Sequence, residues 1–189
     1  MKRLIQCAVI AALTAAVPAG CSADSGSSGS AGGGDYLTDG RAVLGALDAI
    51  AARSGKPLRI TTISADGING LSVDVQEPAH HVNVDRYVVA PSGAITGPTP
   101  VKLMSLDGGP ITAASVDFQA FDPHKVSFAR LSTTVKEAIA KSHFDDAKVN
   151  QWEIGGLRAD DRRYLYLDAA RGRPVAVLRT DLTIADMRY

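Results

Sequence analysis

Both cysteines of the chain, Cys7 and Cys21, fall within its first 21 residues, so the body that follows has no thiol for a disulfide or for nucleophilic chemistry. Charge of one sign is missing too, since 20 basic residues balance 20 acidic ones. Nucleic-acid binding rests on concentrated Lys and Arg that release counterions, and an acidic disordered tail needs the opposite excess. The balance speaks against both. Catalytic signatures are also absent from the body: there is no G-x-S-x-G elbow, H-E-x-x-H pair, P-loop or G-x-G-x-x-G fingerprint. A non-catalytic protein without a cofactor is the expectation. Aromatic residues make up only 5% of the chain, which neither favours nor excludes a ligand cavity.

What is present begins with targeting. Met1-Lys2-Arg3 is a positive start, and residues 4–17 are an apolar run of 14 residues that stops at Pro18. A permanent membrane-spanning helix needs roughly 20 such residues. The segment therefore reads as a secretory signal over residues 1–20. Val17-Pro18-Ala19-Gly20-Cys21-Ser22 places small residues directly before a cysteine. This resembles the lipobox of bacterial lipoproteins, with Pro18 where the family usually has Leu. The resemblance implies that Cys21 is acylated, with palmitate among the expected chains, and becomes the mature N-terminus. Ordinary signal-peptidase cleavage after Ala19 or Ala23 is the alternative. Ser22 resembles a residue that sorts to the outer membrane in organisms with two membranes. Residues 22–34 hold five serines, five glycines, two alanines and one Asp, too little apolar surface for a core. Residues 21–34 are thus a lipidated cysteine and a flexible tether, reaching about 20 Å.

From residue 35 the pattern becomes globular. Val43, Leu44, Leu47, Ile50 and Ala51 form a helical stripe, with Thr38 or Asp39 to cap its start and Ser54-Gly55 to end it. The period then switches to two. Residues 58–63 are rich in β-branched side chains, residues 71–75 alternate, and Val82, Val84 and Val88 alternate against His81, Asn83, Asp85 and Tyr87. Pro91-Ser92-Gly93 turns the chain into a strand that Gly97-Pro98 ends, and residues 101–121 read as a connection with one or two short strands. The scheme then repeats. Phe128, Leu131, Val135, Ala138 and Ile139 make a second stripe, with Thr134 and Glu137 spaced as a capping box. Strands follow at 147–154, with Val149 and Gln151 opposite Asn150, Trp152 and Ile154, then at 163–167, 174–178 and around 182–184. The expected fold class is α+β: two halves, 35–121 and 122–189, each a helix followed by an antiparallel meander.

The stretch Tyr164-Leu165-Tyr166-Leu167-Asp168-Ala169-Ala170-Arg171-Gly172-Arg173-Pro174-Val175 carries a second resemblance. An aromatic strand, an Asp, a small-residue turn with Gly and an apolar strand are similar to the PepSY and cystatin-like modules. The first half shares only the hairpin at residues 87–95. That resemblance implies tandem modules and permits a role as inhibitor or regulator of an envelope enzyme.

Three clusters are candidate sites. His81 and Asp85 share a strand face, but two ligands are too few for a closed metal site, so none is expected. Asp145-Asp146 and Asp160-Asp161 fit turns and solubility. All seven basic residues after Gln151 are arginine, and they interleave with Trp152, Tyr164, Tyr166 and Tyr189. Arginine with aromatics is an interface composition. Arg163, Tyr164, Tyr166, Arg171 and Arg173 are accordingly the candidate partner-binding residues. The expected function is that of a lipid-anchored envelope protein binding a protein or peptide through a sheet face. The alternative is a small-ligand or lipid carrier with a cavity between helix and sheet.

Overall fold

The computed structural model describes residues 33–55, 57–104, 109–155 and 163–189. Helix α1 (Gly40–Ser54) begins where the Asp39 carboxylate accepts the Arg41 N–H at 2.9 Å, and it ends at Gly55, whose φ of 90° a side chain would oppose. Its stripe of Val43, Ala46, Leu47, Ile50 and Ala51 is buried. Strands β1 (Ile60–Asp66) and β2 (Gly70–Gln76) follow. Asp66 closes their turn by accepting the Ile68 and Asn69 N–H groups at 2.8 and 2.6 Å. Strands β3 (Val84–Val89) and β4 (Ile95–Pro100) complete the first meander. After the short helix α2 (Ala113–Gln119) and the helix α3 (Leu131–Lys141), the second meander runs through β5 (Lys148–Gly155), β6 (Arg163–Asp168), β7 (Val175–Leu178) and β8 (Ile184–Arg188).

The eight described strands form one antiparallel sheet in the order β4-β3-β2-β1-β5-β6-β7-β8. The fold is thus α+β, built from helix-plus-meander units. Their first strands, β1 and β5, meet at the centre and their last strands lie at the edges, which gives the topology a two-fold symmetry. At the junction Ile63 faces Ile154 and Ala65 faces Trp152. Helices α1 and α3 cover one face, while α2 lies against the other face at the β2–β3 end, where Gln76 and Val84 are buried and Gln76 bonds to Asp117 of α2. Leu47, Ile50, Phe128, Leu131, Ile63, Leu71, Leu165 and Leu167 are all fully buried between the layers. Burying each such side chain contributes about 1.5–3 kcal/mol. Trp152 sits among them, donating its Nε1–H to the Tyr36 carbonyl at 2.9 Å with its ring 5.9 Å from that of Phe128.

The structure corrects several local expectations. Residues 101–121 carry helix α2, capped by a Thr112/Ser115 box, and no strand among those described. Phe121 makes a single bridge to Ile60. Thr134 lies inside α3 and caps nothing, its hydroxyl instead donating to the carbonyls of Arg130 and Leu182 at 3.1 and 2.7 Å. Strand β4 runs on through Gly97-Pro98 because Gly97, at φ 108°, forms a bulge opposite Arg86 and Val88. Tyr87, not Val88, faces the helices, since pairing with β2 sets it opposite the buried Val73. Val149 shares the helix side with Trp152 because the pairing shifts by one residue between Val149 and Gln151, and a one-residue slip turns every preceding side chain over.

Candidate partner-binding face

With α1 and α3 on one side, alternate residues of every strand line the other, which α2 covers at the Gln76–Val84 end. One row crosses the whole open face: Thr96, Val88, Ser72, Ser64, Glu153, Tyr164, Val177 and Asp186 stand on successive strands from β4 to β8. Seven interstrand spacings make it about 34 Å wide.

Its two ends differ. On the first meander the row is hydroxylic apart from Val88, and beside it Arg86 grips the buried carboxylate of Asp74 through two bonds of 2.7 and 2.8 Å. That fork holds the Arg86 guanidinium above even its ordinary value. On the second meander Tyr164 and Tyr166 stand two residues apart on β6, their rings 6.0 Å apart and tilted by 55°. Val177 and Val175 lie directly opposite them on β7. Arg188 reaches across from β8, its guanidinium carbon 5.9 Å from the centre of the Tyr164 ring. All four of the Tyr and Val side chains are half-buried, with only sheet beneath them.

The predicted site residues are divided by this geometry. Tyr164 and Tyr166 share the open face. Arg163 stands opposite Ile154, in the row that faces the helices. Arg171 and Arg173 are exposed in the β6–β7 turn, where Arg173 lies 3.4 Å from Asp168. Val175, Val177 and Arg188 join the tyrosines. The alternation of residues 174–178 carried the signal for the valines, but only the register places them beside the rings. Cys21, Arg158, Arg162 and Asp160-Asp161 lie outside the described residues.

His81 does not share a strand face with Asp85, because β3 begins only at Val84. Its Nδ1 lies 3.0 Å from the Asp117 carboxylate on α2. Gln76 donates to the same carboxylate at 2.7 Å, and Arg59 donates to the Asp117 and Ala120 carbonyls, both at 3.1 Å. Together these bonds fasten α2 across the end of the sheet. They hold Asp117 below the usual carboxylate value, the Gln76 bond first and the His81 bond second. Near the ends of β3 and β4 an open cleft of about 470 Å³ is lined by Val84, Asp85, Pro100, Val101, Leu103 and Ile111.

No protein-family model matches the chain, and no curated protein matches it. A solved structure does. The crystal structure of a chain from Clostridium difficile 630, described as a "putative lipoprotein", superposes with a TM-score of 0.54 at 12% identity. The match covers 82% of this chain and 95% of that one. At so low an identity the likeness is one of fold. Among the described residues no helix is long and apolar enough to cross a membrane.

Proposed function

We propose that this protein is exported, anchored to a bacterial membrane by acyl chains on Cys21, and binds a protein or peptide partner without catalysis. In an organism with two membranes the anchor lies in the outer one. The binding surface in this reading is the open face of the second meander, centred on Tyr164 and Tyr166. The observation that carries it is the pairing of two half-buried tyrosines with Val175 and Val177 on a part of the face that no other described element covers. Tyrosine offers a large contact area at low entropy cost, and an apolar neighbour lowers the cost of desolvating it. The lipobox-like sequence and serine-glycine tether support the anchor, and the fold shared with a chain described as a lipoprotein fits it. The PepSY-like hairpin of β6 and β7 supports a role as inhibitor or regulator of an envelope enzyme. The carrier alternative draws less support, because the space between helices and sheet is filled by fully buried side chains.

The test is affinity capture from intact envelopes, comparing the native chain with one carrying Tyr164→Ala and Tyr166→Ala. A partner held by the native chain and lost from the variant supports the reading. Equal capture by both refutes the tyrosine face. Labelled palmitate entering the native chain but not Cys21→Ala tests the anchor separately.

A further inference from the structure

The sheet has two edges, and they are built differently. Along β4, Pro98 and Pro100 remove two backbone donors and the Gly97 bulge bends the strand, devices that keep another strand from adding. Strand β8 has neither proline nor glycine, and its own pairing irregularity, at Ala185, lies outside the segment Asp186–Arg188. The Met187 N–H is bonded to the Asp186 carboxylate at 2.9 Å instead of to β7, so the main chain of Met187 faces the free edge. Asp186 and Arg188 flank it, standing opposite Val177 and Val175, with both side chains on the open face and more than half exposed.

This charge pattern is self-complementary. We propose that β8 pairs antiparallel with β8 of a second copy of this chain, centred on Met187, so that Asp186 of each copy faces Arg188 of the other. The two central Met187 residues exchange N–H and C=O bonds. Each Asp186 carboxylate then leaves its own Met187 N–H and meets the guanidinium opposite. Residues next to such a bonded pair are the close, non-bonded pairs of an antiparallel ladder, about 4.5 Å apart at Cα, where opposite charges interact best. The contact closes after two copies, because it is isologous and the guarded β4 edge cannot extend it. The result repeats with a true two-fold what β1 and β5 do within one chain. It also sets the tyrosine faces of both copies on the same side of one sheet of sixteen strands. The inference stands apart from the proposed function, since it requires neither a partner nor an anchor.

Sedimentation velocity of the detergent-solubilised full chain, over a wide concentration series, tests it. The native chain is expected to dimerise, with Met187 amide exchange slowing as the dimer forms. Asp186→Arg or Arg188→Asp alone puts like charges opposite each other and should weaken the dimer about tenfold. The double variant restores both pairs and the dimer. Mixing the two single variants also restores it, as a heterodimer with opposite charges at both positions. A native chain that stays monomeric throughout overturns the proposal. So does a dimer whose strength ignores the charge exchange, or one that neither the double variant nor the mixture recovers.

Discussion

On the open face, β1 to β3 present Thr62, Ser64, Ser72, Val88 and the Asp74–Arg86 fork, whereas β6 and β7 present Tyr164, Tyr166, Val175 and Val177. The two meanders share strand count and direction, but α2 covers part of the first one's outer face, so they differ in cover as well as in surface chemistry. In the first, the charged groups already hold one another, and covering them would cost solvation with little in exchange. In the second, contact removes apolar and aromatic surface from water, which is favourable. The edges also differ: β4 carries two prolines, and β8, which like β4 has a pairing irregularity, carries none. The helix-plus-meander arrangement occurs twice in one sheet, with a mostly polar outer surface on the first meander and an aromatic one on the second.

The largest effect that would break this comparison lies at the join. Trp152→Ala removes a ring packed on Phe128 and leaves the Tyr36 carbonyl without its donor, and should cost about 3–5 kcal/mol in denaturant unfolding. Because Trp152 serves both meanders, they should unfold in one shared transition. Two separate transitions would show the halves to be independent.

Asp74→Ala comes next, at about 1–2 kcal/mol by the same measurement. The carboxylate is buried, but Arg86 is half exposed and can recover water once its partner is gone. The tyrosine half should show no loss of partner capture in this variant.

Acid should separate the halves by degree. Asp117 and Glu77, in the first half, are both held below the ordinary carboxylate value: Asp117 by Gln76 and then His81, Glu77 by His80 and then Asn83. In the second half Asp181 is held down by the Thr183 hydroxyl and N–H. A depressed value means that the folded state binds fewer protons than the unfolded one. The stability these groups contribute is complete above the unfolded carboxylate value and is lost as pH falls through the lower folded value. Unfolding should therefore become easier with acid. Asp117→Asn with Glu77→Gln should flatten that dependence more than Asp181→Asn does, as read from unfolding midpoints across a pH series.

Smallest in stability is the change that matters most for binding. Tyr164→Ala with Tyr166→Ala should move the unfolding free energy by less than about 1 kcal/mol per residue, since both rings are only half-buried on the open face. Partner capture should nevertheless disappear.

Periodicity made α1, α3 and seven strands legible, including Trp152 and Ile154 as one apolar face, but it set the last strand at 182–184, where Leu182, at φ 62°, belongs to a turn and the strand is Ile184–Arg188. It failed wherever the phase slipped. Val149 and Gly97 sit at bulges, which a pattern of period two cannot register until the partner strand is known. Tyr87 and Val88 are both good strand residues, and only pairing with Leu71 and Val73 decides which one turns inward. Helix α2 has seven residues with Val116 alone buried, too short for a stripe. Of the candidate site, Tyr164 and Tyr166 could be read from composition. Separating them from Arg163, Arg171 and Arg173, and adding Val175, Val177 and Arg188, required the register of three strands.

The central claim is that the second meander's open face, and not the first's, meets a partner. Site-specific photo-crosslinking in intact envelopes tests it along the single row that crosses both, with the crosslinker placed in turn at Ser72, Ser64, Tyr164 and Val177. The account predicts one discrete adduct to another protein from Tyr164 and Val177 and none from Ser72. Adducts of equal strength from Ser72 and Tyr164, or from Ser72 alone, would contradict it.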